Sequence, residues 1–268
     1  MNFHQNRISH VTRVTLNVKN LEAQVHFYTH VLGLDVAEST NEEAILNIGQ
    51  SGHQLVLRQL KNGREPERTE AGLFHIALLL PNDVQVGSLL RHLLAQQVVV
   101  SGGDHIVSQA IYFADPEGNG IEVYADRDSN TWTWQGDQVV MDTLPLDGDR
   151  LLTISNEKRW AGMPQEAKIG HLHLKTSDVK VSMEFYAQYG FKPVAKLPGA
   201  VFMSDQAYHH HIAVNTWQSR QVNRDAETTY GLAHFNIINP HHDVETVTTP
   251  DGITMTINQN SENVSRSL

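Results

Sequence analysis

The sequence predicts an α+β protein made of four consecutive strand–helix–strand units, the last of them truncated. Two pairs of matching segments carry this prediction. LNVKNLEAQVHFYTHVLGL at 16–34 is echoed by LKTSDVKVSMEFYAQYGF at 174–191, and GLFHIALLLP at 72–81 is echoed by GLAHFNIINP at 231–240. Similar segments that recur in a fixed order are the sequence signature of a repeat architecture.

The first unit begins with an alternating strand at 11–18, after which Asn20 can cap a helix over Leu21 to Leu32. Apolar residues recur at helical spacing along that helix, and Gly33 ends it. Three short strands are expected to follow, near 34–38, 43–48 and 53–60.

The second unit restarts with a strand at 73–80 and a helix from Asp83 to about Gln96. Its three predicted strands lie near 98–100, 106–114 and 120–125. The third unit starts at 169, and its strands are predicted near 193–197, 200–204 and 209–215. In the fourth unit the chain passes directly from its first strand to TTPDGITMTINQ, which leaves no room for a full helix.

Length suggests two domains, because a typical domain has about 100–150 residues and the chain has 268. We expect an N-terminal domain of two units at 1–126 and a C-terminal domain at 168–268. The connection at 127–167 is polar and aromatic, and Trp132 and Trp134 are expected to anchor it.

Composition excludes several classes of function. The net charge of −10, without a dense basic patch, argues against a nucleic-acid partner. The absence of cysteine excludes disulfides and thiolate sites. No run of about 18 apolar residues is present, so we expect no membrane span and a cytoplasmic protein. Sixteen histidines is a high number, and histidine is the commonest metal ligand.

The segment IYFADPEGNGIEVYAD, at 111–126, reads as a strand, a sharp turn and a second strand. Side chains alternate faces in a strand, so Glu122 and Tyr124 share one face. Taken alone, Glu122 is more often a solvated residue at a rim. A buried carboxylate requires a partner, and the histidines of neighbouring units can supply one.

With these motifs the chain resembles the vicinal oxygen chelate superfamily of glyoxalases, bleomycin-resistance proteins and extradiol dioxygenases. Within it, GLFHIALLLP, GNGIEVYADR, IGHLHL and YHHHIAVNTW look most like the two-domain bacterial catechol-2,3-dioxygenase group. The resemblance implies a glyoxalase/extradiol dioxygenase fold, in which βαβββ units pair into curled mixed sheets around a cavity. It also implies metal ligands on the first and last strands of the units.

The first-strand ligand positions implied by this resemblance are Arg13, His75, His171 and His234, and the last-strand carboxylate is Glu122. Ferrous oxygenases use two histidines and one carboxylate, and the fourth unit has no acid at the matching position. His75, Glu122 and His171 make a complete set. We therefore expect units two and three to share the cavity and unit one to pack with unit four.

The roles of other histidines stay open at this point. His173 shares the strand face of His171 and is an alternative ligand. His234 is either a remnant of the repeat or part of a second site. Alone in its apolar strand, His75 would more often be a core histidine.

The resemblance also implies a catalytic histidine that is not a ligand, near the start of the strand that follows Tyr208. Three candidates occur there, at 209–211, and strand parity favours His211, with His209 on the same face. Tyr124 resembles a tyrosine that hydrogen-bonds substrate, and a packing role is equally open to it.

The sequence thus predicts an Fe(II)-dependent extradiol dioxygenase that takes O₂ and a catechol or hydroquinone. Rival hypotheses are a glyoxalase-type isomerase or lyase with Zn(II), Ni(II) or Mn(II), a non-catalytic small-molecule binding or resistance protein, and a former enzyme. The missing helix of unit four leaves a sheet surface exposed, which suggests a homodimer.

Overall fold

The computed structural model of the chain describes residues 2–155, 159–220 and 225–258. Four α-helices are present in this part. They are α1 (Leu21–His26), α2 (Asp83–Ala95), α3 (Gly148–Ile154) and α4 (Val179–Ala187). A π-helical turn (Phe27–Val31) continues α1, so the helical span expected for the first unit is present. Gly33 then adopts φ +80°, as a helix stop requires.

Two large mixed sheets form the body of the protein. The strands from the first half of the chain are β1 (His10–Val18), β2 (Asp35–Ser39), β3 (Glu43–Ile48), β4 (His53–Gln59), β5 (Gly72–Leu79), β6 (Ser101–Asp104), β7 (Ser108–Ala114) and β8 (Gly120–Asp126). Those from the second half are β9 (Trp134–Gln135), β10 (Gln138–Val139), β11 (Lys168–Lys175), β12 (Lys192–Leu197), β13 (Ala200–Ser204), β14 (Ile212–Asn215), β15 (Gly231–Ile238), β16 (Glu245–Thr248) and β17 (Thr254–Ile257).

The order of the strands shows which units pair. The first sheet runs β16-β17-β15-β1-β4-β3-β2, and the second runs β12-β13-β14-β11-β5-β8-β7-β6. Antiparallel pairing of β1 with β15 joins units one and four, and antiparallel pairing of β5 with β11 joins units two and three. This is the pairing that the metal-ligand requirement led us to expect, and the α+β class is confirmed.

Each sheet contains strands from both halves of the chain, so the domain limits 1–126, 127–167 and 168–268 stay a prediction. Within the predicted connection, residues 156–158 lie outside the described part, as do 221–224 and 259–268 of the predicted C-terminal domain. The connection holds the β9–β10 hairpin and helix α3. Trp132 is buried and Trp134 is half-buried, both packed in a small apolar cluster.

Side chains alternate between the two faces of the second sheet, so that one face carries the apolar core and the other carries polar groups. Ile76 and Leu78 on β5, Ile121 and Val123 on β8, and Leu172 on β11 all belong to the main hydrophobic core. The residues between them point to the opposite face of the second sheet. Histidines and an acid are therefore carried on strands whose other side is anchored by burial of aliphatic side chains.

One strand prediction is wrong, and another strand starts later than predicted. Residues 98–100 form no strand, and Val99 is 89% exposed. β6 begins at Ser101, where pairing with Tyr112 of β7 starts. The strand expected at 209–215 begins only at Ile212, so the three histidines precede it. At 98–100, strand propensity alone did not produce a paired strand.

No helix in the described ranges is long and apolar enough to cross a membrane.

Candidate metal centre

Three neighbouring strands bring His75, Glu122 and His171 together. Ala77 of β5 pairs with Glu122 of β8 on one side and with His171 of β11 on the other. His75 lies two residues away on the same face of β5. The Glu122 Oε2 atom is 2.9 Å from His75 Nε2 and 3.2 Å from His171 Nε2. All three residues are buried, and their ligand atoms lie within 4.8 Å of one another.

The charge states of this cluster suit metal binding. Burial lowers the pKa of His171 to about 4, although Glu122 opposes the shift. Burial alone would raise the pKa of the Glu122 carboxyl, but the adjacent His171 and His75 outweigh it and hold that pKa well below its usual range. At neutral pH the cluster therefore presents a carboxylate beside an unprotonated imidazole, the forms that coordinate metals.

One orphaned atom shows that the cluster fits a cation. His75 Nε2 is buried and makes no hydrogen bond within the described residues, although Glu122 Oε2 lies only 2.9 Å away. An unpaired buried nitrogen costs free energy, and coordination to a metal ion would remove that cost. Two imidazoles and one carboxylate are the donor set of non-haem Fe(II) oxygenases, and imidazole also suits Zn(II) and Ni(II).

A cavity of about 410 Å³ opens over the cluster. Its apolar walls come from Phe74, Phe113, Leu197, Phe202 and Trp217, among others. Met141, Asp142 and Thr143 of the connection also line it, so that segment is part of the site. Pockets of this size with mainly apolar walls and a few converging polar groups are typical of small-molecule sites.

Tyr112 and His105 form a polar pair on the cavity wall. Tyr112 pairs directly with Glu122 across β7 and β8. Its hydroxyl lies 2.5 Å from His105 Nε2. His105 Nδ1 donates to the carbonyl of Asp142 at 3.0 Å, so its Nε2 accepts from Tyr112. Burial, with Glu122 second, raises the pKa of Tyr112 well above its usual value.

His173 lines the same cavity, but its ring is otherwise engaged. Asn215 Nδ2 donates to His173 Nε2 at 2.9 Å. His171 contacts Glu122 and His173 does not, which favours His171 over the alternative that the sequence left open.

The structure separates the three adjacent histidines. His210 lines the cavity, with its ring centroid 3.9 Å from that of His171. His211 instead contacts Ser204 Oγ and the carbonyl of Phe3, both at 3.0 Å. His209 contacts Asp126 and His210 at 2.8 Å. Neither His209 nor His211 lines the cavity. The parity argument applied strand alternation to residues that precede β14, and a catalytic role for His211 or His209 stays a prediction.

Tyr124 also lies outside the cavity lining. Its hydroxyl is 2.7 Å from the hydroxyl of Tyr208, and its ring packs beside His171 with centroids 5.0 Å apart. Its position corresponds to the packing role that the sequence left open. Tyr112 and His105 are polar cavity residues that sequence reasoning missed, whereas His210 was one of the three candidates at 209–211 and was ranked below His211. For Tyr112, a signal was available in its place opposite Glu122 across the turn.

The first sheet offers no equivalent centre among the described residues. Arg13 of β1 pairs with Asn236 of β15, and His234 Nε2 lies 2.8 Å from Thr256 Oγ1. Burial, then Arg13 and Arg58, lowers the pKa of His234 to about 4. His234 thus lies in the sheet formed by units one and four, away from the cluster of His75, Glu122 and His171.

A second group of possible ligands shares His171 with the first. His171, His209 and His210 also bring one nitrogen each within 4.8 Å of one another. Both nitrogens of His209 already have partners, however, in Asp126 and His210. A cation there would have to displace these contacts, and it would lack a carboxylate from the group. The cluster around Glu122 is therefore the better candidate.

Comparison with known proteins agrees with this geometry. The family model "Glyoxalase/Bleomycin resistance protein/Dioxygenase superfamily" matches residues 7–123. A catechol-2,3-dioxygenase of Bacillus subtilis is 35% identical over 240 residues, covering 88% of this chain and 84% of that protein. A biphenyl-2,3-diol 1,2-dioxygenase of Rhodococcus globerulus is 28% identical over 62% of this chain and 90% of its own length.

Solved structures with little sequence identity share the fold. The cppA protein of Streptococcus pneumoniae is 12% identical, with a TM-score of 0.59 over 94% of this chain and 99% of that one. A glyoxalase I variant of Zea mays is 11% identical, with a TM-score of 0.56 over 93% and 92% of the two chains. Sequence identity to the curated relatives and this shared architecture agree. The chain belongs to the Glyoxalase/Bleomycin resistance protein/Dioxygenase superfamily.

Proposed function

We propose that the protein is a metal-dependent extradiol-type dioxygenase that cleaves the ring of a catechol or hydroquinone-like aromatic. The observation that carries this proposal is the convergence of His75, Glu122 and His171 beneath an apolar cavity. The names of the two curated relatives, which describe dioxygenases of aromatic diols, support the same reaction class.

Fe(II) is the metal that we propose, held by His75, Glu122 and His171, with Mn(II), Zn(II) and Ni(II) as alternatives. Such an ion would supply Lewis acidity and a template that brings a diol and O₂ together. The two histidines and the glutamate supply three donors, which leaves positions open for a substrate.

The cavity walls suit a flat aromatic ring. The rings of Phe74, Phe202 and Trp217 line the cavity above the cluster. Aromatic groups pack favourably in offset or edge-to-face arrangements. Burial of an aromatic substrate against these walls would exclude water and leave its hydroxyl groups directed at the polar floor.

Two side chains of the cavity suit the handling of substrate protons. The Tyr112 hydroxyl stays protonated at neutral pH because its pKa is raised. It donates its proton to His105 Nε2, so its oxygen can accept a hydrogen bond from a substrate hydroxyl. Burial, with His171 second, holds the pKa of His210 well below its usual range, so its imidazole is neutral and can accept a proton. A base positioned in this way contributes roughly 10²–10⁴-fold to a rate.

The experiment is anaerobic loading of the purified chain with Fe(II), Mn(II), Zn(II) or Ni(II), each alone, followed by O₂ uptake with a panel of catechols and hydroquinones. We expect one tightly bound metal per chain, with O₂ uptake and a ring-opened product with Fe(II) or Mn(II). Metal binding with turnover that consumes no O₂ would favour a glyoxalase-type enzyme. No metal and no turnover, with retained aromatic binding, would favour a small-molecule binding protein.

A further inference from the structure

A continuous set of hydrogen bonds runs from the cavity to the surface through the adjacent histidines. The Nδ1 atoms of His210 and His209 are 2.8 Å apart. His209 Nε2 lies 2.8 Å from Asp126 Oδ1. The Tyr208 hydroxyl donates to the other oxygen of Asp126 at 3.0 Å. The Asp126 side chain is 21% exposed, whereas His209 is buried.

The acceptor at the end of this chain determines where each proton lies. A carboxylate only accepts hydrogen bonds, so His209 Nε2 must carry a proton and donate to Asp126. A His209 ring that carries this single proton has an acceptor at Nδ1. The contact between the two Nδ1 atoms therefore requires the proton to be on His210 Nδ1. The remaining nitrogen of that ring, Nε2, carries a lone pair.

The rings around His209 keep it in this orientation. Its centroid lies 4.1 Å from that of Tyr208, 5.4 Å from that of Trp132 and 5.8 Å from that of Tyr124. A ring packed on several sides cannot turn to exchange its nitrogens without moving its neighbours. His210 Nε2 makes no hydrogen bond in the ranges that the structure describes, while its ring borders the cavity.

We propose that Asp126 and His209 are positioning residues that hold His210 in the tautomer whose unprotonated Nε2 is offered to the cavity. His209 then acts through His210 and does not touch substrate. That the bare nitrogen receives a substrate proton rests on the proposed dioxygenase function. The tautomer itself does not, and it is measurable without metal or substrate.

The first test is nuclear magnetic resonance of the metal-free full chain labelled with [¹⁵N]histidine. Long-range ¹H–¹⁵N correlations distinguish a protonated from a bare imidazole nitrogen, and the signals of His210 are assigned by their loss in His210→Gln. We expect a protonated Nδ1 and a bare Nε2 on His210 in the unaltered chain. A protonated Nε2 on His210, or a doubly protonated His209 ring, would overturn the proposal.

Variants of Asp126 test whether this carboxylate fixes the tautomer of His210. Asp126→Leu should mix or invert the tautomers of His210, and Asp126→Glu should restore the pattern of the unaltered chain. Tyr208→Phe is the matched control, since it removes the other hydrogen bond to Asp126 and keeps the carboxylate on His209. An unchanged His210 tautomer in folded Asp126→Leu would contradict the proposal.

Kinetics of the loaded protein connect this arrangement to the proposed reaction. Asp126→Leu should lower kcat by roughly 10–100-fold, which is part of the roughly 10²–10⁴-fold that a positioned base contributes, because the base itself is retained. KM and metal content should change little, and Asp126→Glu should recover most of the rate. If the expected His210 tautomer is observed but the metal-loaded chain takes up no O₂, only the dioxygenase proposal is refuted. Loss of metal, instead of kcat, in Asp126→Leu would refute the positioning role.

Discussion

His75 of β5 and His173 of β11 lie directly opposite each other where units two and three pair. The candidate cluster forms because β11 places His171 on one side of Ala77 and β8 places Glu122 on the other. A slip of one residue in this register would turn both histidines of β11 into the apolar core. The candidate site therefore forms only when units two and three pair in this register.

Replacement of Tyr112 by phenylalanine tests the polar wall of the cavity. Its hydroxyl contacts His105, and Tyr112 is not one of the three candidate ligands His75, Glu122 and His171. Loss of one neutral hydrogen bond of about 1 kcal/mol should lower kcat/KM for a catechol by about 5–10-fold, with unchanged metal content. Steady-state O₂ uptake and metal analysis measure both. Equal losses of metal and rate would show that Tyr112 supports the metal instead.

The order of motifs in the sequence was sufficient to predict the four units, and the donor requirement of a ferrous site predicted which units pair. The catalytic roles of His209 and His211 stay a prediction: neither lines the cavity, and strand alternation was applied to residues that precede β14. That strand starts at Ile212, which pairs with Leu172 and Met203. Local sequence does not reveal where a neighbouring strand begins.

Tyr124 illustrates the same limit. It shares the strand face of Glu122, as alternation predicts, yet its hydroxyl contacts Tyr208 instead of the cavity. Whether a side chain on the correct face reaches the cavity depends on which residues pack over it. Tyr124 is covered by Tyr208 and His209, which are more than eighty positions away in the sequence. Tyr112, on the neighbouring strand, reaches the cavity.

Gly170 should not tolerate a side chain. A Cβ atom at this position would lie 2.0 Å from the hydroxyl of Tyr124 and 2.6 Å from its Cζ. Overpacking typically costs about 1–3 kcal/mol, so Gly170→Ala should lower the free energy of unfolding by at least about 1 kcal/mol in urea titrations. Gly148→Ala is the control, since no atom lies within 4 Å of its added carbon. Equal stability of the two variants would contradict this packing.

Acid should destabilise the protein through His53. Burial, then His10 and Lys168, lowers the pKa of His53 to about 3, against about 6.5 in an unfolded chain. Between these values the unfolded chain binds more protons, so the stabilisation is complete above pH 6.5 and is lost as pH falls towards 3. The loss from this group between pH 6.5 and 5 is at most about 2 kcal/mol.

His53→Gln should therefore show a shallower fall in the free energy of unfolding between pH 6.5 and 5 than the unaltered chain. Urea titrations at both pH values measure the slopes. The comparison uses slopes only, because the substitution also changes the acceptor for the Ile169 amide. Parallel slopes would mean that His53 does not take part in the acid response.

Asp251 should make the free energy of unfolding depend on pH in the opposite direction to His53. Burial raises the pKa of its carboxyl to about 6, although Thr176 and Ser182 donate hydrogen bonds to it. The folded chain then holds its proton more tightly, so the stabilisation is complete below pH 3.8 and is lost as pH rises through 6. Asp251→Asn should be more stable relative to the unaltered chain at pH 7 than at pH 4.5. A constant difference in urea midpoints would contradict this.

The most direct test of the central claim is anomalous X-ray diffraction from crystals of the chain loaded with Mn(II) as a probe metal, compared with crystals of Glu122→Ala and of the exposed-helix control Glu184→Gln. We predict one peak within bonding distance of His75 Nε2, Glu122 Oε2 and His171 Nε2 in the unaltered chain and the control, and its loss in Glu122→Ala. A peak held by His171, His209 and His210, or a peak that persists in Glu122→Ala, would contradict the account.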